Sequence, residues 1–442
     1  MSKKVLTEEE LQLKKEKKAK RRKRNKRNFL IFLCLLALFI IVTTVITVIG
    51  VNANIKKARS FKPVEYTQQL PEIKNVGNGK WQIICDRDIK VLQLTDIHIG
   101  GGWMSIKKDS MAINTVASLV STEKPDFVIV TGDISYPVPF QAGTFNNKSG
   151  AKIFANLMEA LGVKWTACYG NHDTEAYSYY SREELTEFYS SGEFPHCLMQ
   201  AGPEDVDGVG NQIFDVINSD GIVTRSLILF DSHSYVDGDY FGIFWKYDNI
   251  HENQVQWYKK HIEEITQQNK LKMYSSSNSE FADKYKDLTT PKSTLFMHIP
   301  LTEFRDAWTE YVNNGYKDTA DVKYNYGTIG EHGLFIYCGI HDDSLFETAL
   351  QLGSTDSAFC GHDHLNNLSL NYKGINLSYG MSVDYLAYSG ISKLGSQRGC
   401  CVLDIAADGT LNAHNENYYQ EKYLSQYAKE EVTMQTLNEN MK

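Results

Sequence analysis

The histidines at 362 and 364 in DSAFCGHDHLNNLSL (356–370) are one residue apart and follow an apolar run. In an extended chain, positions i and i+2 share a side, so the two imidazoles face one volume while Asp363 faces away. Two nitrogen donors aimed at one place suit a metal ion. An isolated pair of this kind is more often a solvated polar loop, so the residues that accompany it decide. Asp96 and His98 stand in LTDIHIG, Asp133 in VTGDISY, Asn171, His172 and Asp173 in CYGNHD, and His298 in LFMHIP, each just past an apolar run. Carboxylates, imidazoles and an amide together offer oxygen and nitrogen donors, a set that suits Fe, Mn or Zn better than Ca or an all-thiolate site.

Elements able to position these residues are legible around them. IKVLQLTD (89–96), DFVIVTGD (126–133) and VKWTACYG (163–170) read as strands, and 109–124 and 150–162 as amphipathic helices between them. Strand and helix alternating in this way argue a parallel sheet, whose C-terminal strand edge is where ligands bind. The second half differs. Residues 211–231 read as a hairpin around Ser219-Asp220-Gly221, 253–268 as a helix, and the Ser-rich stretch 274–291 as a surface insertion. Strand patterns resume at STLFMHIP, STDSAFCGH and beyond, so antiparallel pairing is expected as well.

The order Asp-x-His, Gly-Asp, Gly-Asn-His-Asp, His, Gly-His-x-His resembles the calcineurin-like metallophosphoesterase superfamily from about 91 to 367 and onward to about 413. Asp-x-His or Gly-Asp alone occurs about once by chance in a chain this long, whereas Gly-Asn-His and Gly-His-x-His are far rarer. The resemblance implies a four-layer α/β/β/α sandwich of mixed sheets and two divalent or mixed-valence metal ions. It implies Asp133 as the bridging ligand, Asp96, His98 and His364 on one ion, and Asn171, His298 and His362 on the other. A hydroxide held between the ions is then the expected in-line nucleophile on phosphorus. His172 is expected to stabilise or protonate the leaving oxygen, and Asp173 to accept a hydrogen bond from it and fix its tautomer. GDISY also matches the Gly-Asp-x-x-Tyr element of purple acid phosphatases, which lack the His of Asp-x-His. Both His98 and Tyr136 are present, so the chain is similar to the purple-acid-phosphatase-related branch that keeps Asp-x-His. His98 is favoured as the ligand and Tyr136 as a wall of the site.

The 442 residues carry a formal charge of −8, with 42% hydrophobic and 23% charged residues, ordinary for a folded protein. The charge is uneven. Residues 1–28 hold thirteen Lys or Arg against four Glu, which leaves the remainder acidic. Residues 29–51, FLIFLCLLALFIIVTTVITVIGV, are 23 uncharged positions, about 35 Å as a helix and long enough for a bilayer core of about 30 Å. The expected organisation is a basic cytoplasmic tail (1–28), a transmembrane signal anchor (29–51), a linker (52–80), a metallophosphoesterase domain (81–416) and a C-terminal tail (417–442). Cations before the span place the N-terminus in the cytoplasm and the domain outside the cell membrane. A cleaved signal peptide ending near VNA (51–53) is the alternative. The eight cysteines show no CxxC pair and no framework spacing, although one disulfide using Cys400 or Cys401 stays open.

Taken together, these features predict a membrane-anchored phosphoric ester hydrolase, with a phosphate ester as substrate and no nucleic acid partner. The rival is a degenerate metal-binding module that recognises a phosphorylated surface ligand without turnover. Loops 175–212 and 301–354, with Tyr177, Tyr179, Trp308 and Tyr311, are expected to shape the pocket. His251 and His261 are expected on the surface, and Asp231 with His233 as a strand-end cap. Substrate identity, monoester or diester preference, metal identity and oligomeric state are left open.

Overall fold

A computed structural model describes residues 7–275, 279–388, 391 and 397–423. The chain forms two compact units, one up to Gly50 and one from Val51 onward. The first contains most of α1 (Glu8–Ala58), which is long and apolar enough to cross a membrane. Its last residues belong to the second unit, where Ile55 and Ala58 are buried and Lys57 Nζ reaches the Ser110 carbonyl at 2.8 Å.

The second unit begins with β1 (Glu72–Gly77), β2 (Lys80–Ile84) and β3 (Ile89–Leu94), followed by α2 (Ile106–Glu123), β4 (Phe127–Thr131), α3 (Asn147–Leu161), β5 (Trp165–Cys168) and α4 (Arg182–Tyr189). Next come β6 (Gln212–Ile217), β7 (Val223–Leu229), α5 (Glu252–Ser275), α6 (Ser279–Tyr285), β8 (Lys292–Phe296), α7 (Thr302–Asn313) and β9 (Val322–Tyr326). The last are α8 (Leu345–Leu352), β10 (Thr355–Cys360), β11 (Ser369–Tyr372), β12 (Ile375–Tyr379), β13 (Gly399–Ile405) and β14 (Leu411–Asn417). One sheet runs β14-β13-β3-β4-β5 and the other β1-β2-β6-β7-β8-β10-β12-β11-β9. Both are mixed: β3, β4 and β5 are parallel while β13 opposes β3, and β7, β8, β10 and β12 are parallel while β6 opposes β7.

The period of two in the strands builds the layers. In β3, Ile89 and Val91 face the other sheet while Leu92 and Leu94 pack under α2 and α3. Phe127 and Ile129 of β4 repeat the inward set, and Val128 and Val130 the outward one. Across the interface Leu227, Leu229, Phe296 and Phe359 point inward, whereas Ile228, Leu295 and Ala358 lie under α5, α7 and α8. Strands apolar on both faces need cover on both, which yields the expected four-layer α/β/β/α sandwich. Each fully buried Val, Leu, Ile or Phe contributes roughly 1.5–3 kcal/mol.

Three expectations are corrected here. The linker assigned to 52–80 is shorter, because α1 continues to Ala58 and β1 pairs with β2 through Asn78-Gly79. Both turn residues have positive φ, 51° and 72°, the mirror-image turn that suits strand twist and that an Asn-Gly pair signals. His261 is not on the surface: it is buried on α5, 3.0 Å from Asp215 Oδ1. The tail from 417 starts as structure, since Tyr423 is buried and donates to Glu123 Oε1 at 2.6 Å; its remainder, 424–442, lies outside the described residues. The strand-end cap is present, with Asp231 accepting from Arg182 and from the backbone of Val209 and His233. All eight cysteines are free thiols.

Candidate metal centre

Strands β3, β4, β5, β8 and β10 end at one edge, and the chain turns sharply there. Asp96, His98, Asp133 and His362 all have positive φ, between 49° and 76°. Asp and His tolerate this left-handed region better than most residues, at a local cost of order 1 kcal/mol or more each. The turns are crowded as well as strained. A Cβ on Gly170 would lie 2.1 Å from Asp133 Oδ1, and one on Gly361 1.9 Å from Thr95 Oγ1, so glycine lets each turn approach the acids. Asp109 of α2 then fixes the segment after His98 by accepting from Gly100 and Gly101 N–H at 2.8 and 3.0 Å.

The side chains meet in two overlapping groups. Asp96, His98, Asp133 and His364 each bring a donor atom within 4.8 Å of the others, all buried. His98 Nε2 is 3.1 Å from Asp133 Oδ2 and His364 Nε2 is 3.4 Å from Asp96 Oδ1. In the second group, His298 Nε2 is 3.0 Å from Asn171 Oδ1 and 3.3 Å from Asp133 Oδ2. His362 Nδ1 is 3.0 Å from Asn171 Oδ1 and 3.3 Å from His298 Nε2. Asp133 belongs to both groups.

Hydrogen bonds outside these groups reveal what the inner atoms must be. The Thr131 carbonyl lies 2.8 Å from His298 Nδ1 and can only accept, so Nδ1 carries the proton and a neutral His298 presents a lone pair at Nε2. Asn171 Nδ2 donates to the Tyr235 hydroxyl at 2.9 Å, which turns its oxygen inward. Lone pairs of His298, Asn171 and Asp133 therefore face one another across about 3 Å, an arrangement that only positive charge between them stabilises. Protons can supply part of it. Burial opposes charging His298, yet Asp133 overrides this and holds its pKa at about 9. His364 goes the other way, pushed down to about 3 by burial and by His98. Burial raises Asp96 to about 6. A pair of cations fits this donor set, with no thiolate in it and a carboxylate placed to be shared.

Asp384 has no counterpart in the motif reading. Its Oδ1 is 3.3 Å from His98 Nδ1 and its Oδ2 3.6 Å from His364 Nδ1, ion-pair distances rather than aligned hydrogen bonds. The carboxylate is itself held by the N–H groups of Leu386, Ala387 and Tyr388 at 2.6–2.9 Å. One acid behind two imidazoles keeps their Nε2 atoms turned toward the centre. The available signal was its place in GMSVDY, an Asp soon after an apolar strand.

His172 lies at the mouth, its side chain 22% exposed. Its Nδ1 is 2.6 Å from Glu175 Oε1, and its backbone N–H donates to Asp133 Oδ1 at 2.9 Å. The expected bond to Asp173 is corrected: Asp173 points into the loop, where it accepts from the N–H groups of Asp133, Ser135 and Gly170. A residue adjacent to His172 projects elsewhere, while one three positions on in the turn returns beneath the ring. The Tyr136 ring lies tilted against that of His98, centroids 4.6 Å apart, and its hydroxyl donates to Gln141 Oε1. The extended-chain expectation for 362–364 is corrected: β10 ends at Cys360 and the three residues lie in a turn, where Asp363 accepts from Tyr379 Oη and is raised to about 8 by burial.

The centre opens into a cavity of about 700 Å³ lined by His172, Glu175, Tyr235, Tyr247, Glu331 and Tyr388, among others. Its aromatic walls come mainly from 235–247 and 335–337, not from Tyr177, Tyr179, Trp308 or Tyr311 as expected; Trp308 and Tyr311 pack on α7.

The sequence model of the family described as Calcineurin-like phosphoesterase matches residues 89–366, which hold every strand that ends at this centre. The chain belongs to the calcineurin-like phosphoesterase family. Among curated relatives, "Probable inactive purple acid phosphatase 28" of Arabidopsis thaliana is 26% identical over 69% of this chain and 72% of its own. "Phosphatase DCR2" of Saccharomyces cerevisiae is 27% identical over 71% of this chain and 51% of its own. A solved dimetal phosphatase from Danio rerio aligns over 72% of this chain and 93% of that one at 12% identity and a TM-score of 0.43. The family placement accounts for the mixed sandwich and for a cluster able to hold metal.

Proposed function

We propose that this family member is a membrane-anchored phosphoesterase with two metal ions. Asp96, His98, Asp133 and His364 would hold one ion, and Asp133, Asn171, His298 and His362 the other. The observation that carries the reading is the set of lone pairs facing one another around Asp133. Fe, Mn or Zn in those positions would lower the pKa of water and neutralise charge on phosphoryl oxygens.

The chain's own residues supply the rest. Glu175 accepts from His172 Nδ1–H, and with Nε2 protonated as well the imidazolium would give its Nε2 proton, at the cavity mouth, to the departing oxygen. As the oxygen of water bonds to phosphorus, the phosphorus–alkoxy bond breaks and the alcohol leaves with that proton, while one proton of the water stays on the phosphate product and the other passes to solvent. Tyr235 orients Asn171, and Tyr247 packs edge-on against His362 with ring centroids 4.3 Å apart. Both exclude water from the reacting face.

The second reading is a binding module without turnover. The word inactive in the names of the Arabidopsis relatives favours it, whereas a mouth histidine held by its own carboxylate favours chemistry. The full chain in detergent, loaded with Mn, Zn or Fe, should release phosphate from generic esters, and Asp133→Asn should abolish release and lower bound metal. Equal and negligible rates in both proteins would leave only the binding module. For the anchor, a tag at the N-terminus should resist protease on intact cells while one after 423 is cleaved; loss of the N-terminal tag from the mature chain would support a cleaved signal instead.

A further inference from the structure

We propose that the ester cleaved here carries one phosphate on an apolar alcohol, an amphiphile rather than a nucleotide or polyphosphate. The proposal rests on the phosphoesterase reading above and names its substrate class. Charge is the first argument. The cavity lining brings Glu175 and Glu331 beside the centre, and with His332 it holds no lysine or arginine among the described residues. Nucleoside di- and triphosphates and polyphosphates carry further anionic groups, which need cations of their own away from the reacting phosphorus, and a nucleoside monophosphate carries a polar ribose and base in place of an apolar alcohol. In this cavity those groups would meet carboxylates.

Surface character is the second argument. The lip of the same cavity exposes Phe241, Trp245 and Phe335 at 62%, 64% and 61%, with Ile243 and Phe244 beside them at 69% and 67%. Single exposed apolar residues are ordinary, but a contiguous set on the rim of a binding cavity marks a contact for something apolar. Tyr337 links the two halves of the lip, its ring 6.1 Å from Trp245 and 6.2 Å from Phe335. The lip is also built. Tyr235 bridges Tyr247, Val236 N–H donates to the Lys246 carbonyl, and Asp239 accepts from the N–H groups of Phe244 and Lys246. Apolar side chains held outward by a bonded frame are presented to a ligand, not left over from poor packing. Amphiphilic esters concentrate in bilayers, and the same chain carries a helix apolar and long enough to enter one.

The test measures phosphate release by the full chain in nanodiscs, loaded with Mn²⁺, from ethyl, butyl and hexyl phosphate and from AMP and ATP. We expect kcat/KM to climb about tenfold or more from ethyl to hexyl phosphate, with ATP the poorest substrate. The variant F241S/W245S/F335S should flatten the climb to about threefold or less. Competitive inhibition of the unmodified chain by alkylphosphonates of the same lengths, with Ki falling in parallel, checks the point without any variant. A flat series, or a preference for AMP or ATP, overturns the proposal while the phosphoesterase reading stands. Release from none of the five overturns that reading, and the proposal with it.

Discussion

Asp384 restrains two imidazoles with one carboxylate and is restrained in turn by three backbone amides. Its carboxylate is held below the usual range: burial opposes ionisation, but His98 beside it wins. Asp384→Asn keeps the shape and removes the charge that keeps both Nε2 atoms directed inward. Metal affinity should fall about 10–100-fold, read by competition with a chelator of known affinity. Glu175 acts on His172 in a similar way at the mouth. Glu175→Gln should lower kcat about 10–100-fold while leaving metal content unchanged. Ligand and proton-donor roles separate cleanly in those two measurements. Most of this centre was readable as residue types at fixed spacings, because a strand end followed by Asp, His or Asn is a local pattern. Asp384, Glu175 and Tyr235 were not, since each acts through a residue remote from it or around a turn.

Strand β10 shows how an element serves the site. Phe359 fills the space between the sheets, stacked on Phe296 with centroids 5.6 Å apart, and three residues later the chain delivers His362. Phe359→Ala should cost about 3–5 kcal/mol by denaturant titration with an unchanged slope, the loss expected for an emptied core position. Strands were legible because period two and β-branched runs are local, and so were the hairpin at 211–231 and the principal helices. The linker boundary failed where an Asn-Gly turn joined two short, partly exposed strands; β2 pairs with β6 and β1 only with β2, so the sheet supplies the stability their own sequence lacks.

For the molecule as a whole, buried acid sets a pH dependence outside the candidate metal centre. Glu303 on α7 is 8% exposed with Oε2 unpartnered, and burial, helped by Asp343 and Glu347, raises its pKa to about 8. The folded state therefore binds this proton more tightly than the unfolded state. Its stabilising effect is full below about pH 4.5 and is lost as pH rises toward about 8. Thermal melts should show Tm falling across that window, and Glu303→Gln should flatten the slope. Sequence alone determined the family pattern, the donor types, the layered class and the apolar helix, because each is written in composition or short-range periodicity. Only tertiary structure decided that Asp384 backs two imidazoles, that Glu175 rather than Asp173 lies beside His172, and that the cavity lip is apolar. Those depend on which loops the sheets bring to one edge, and contacts between distant residues are set by packing that no local window contains.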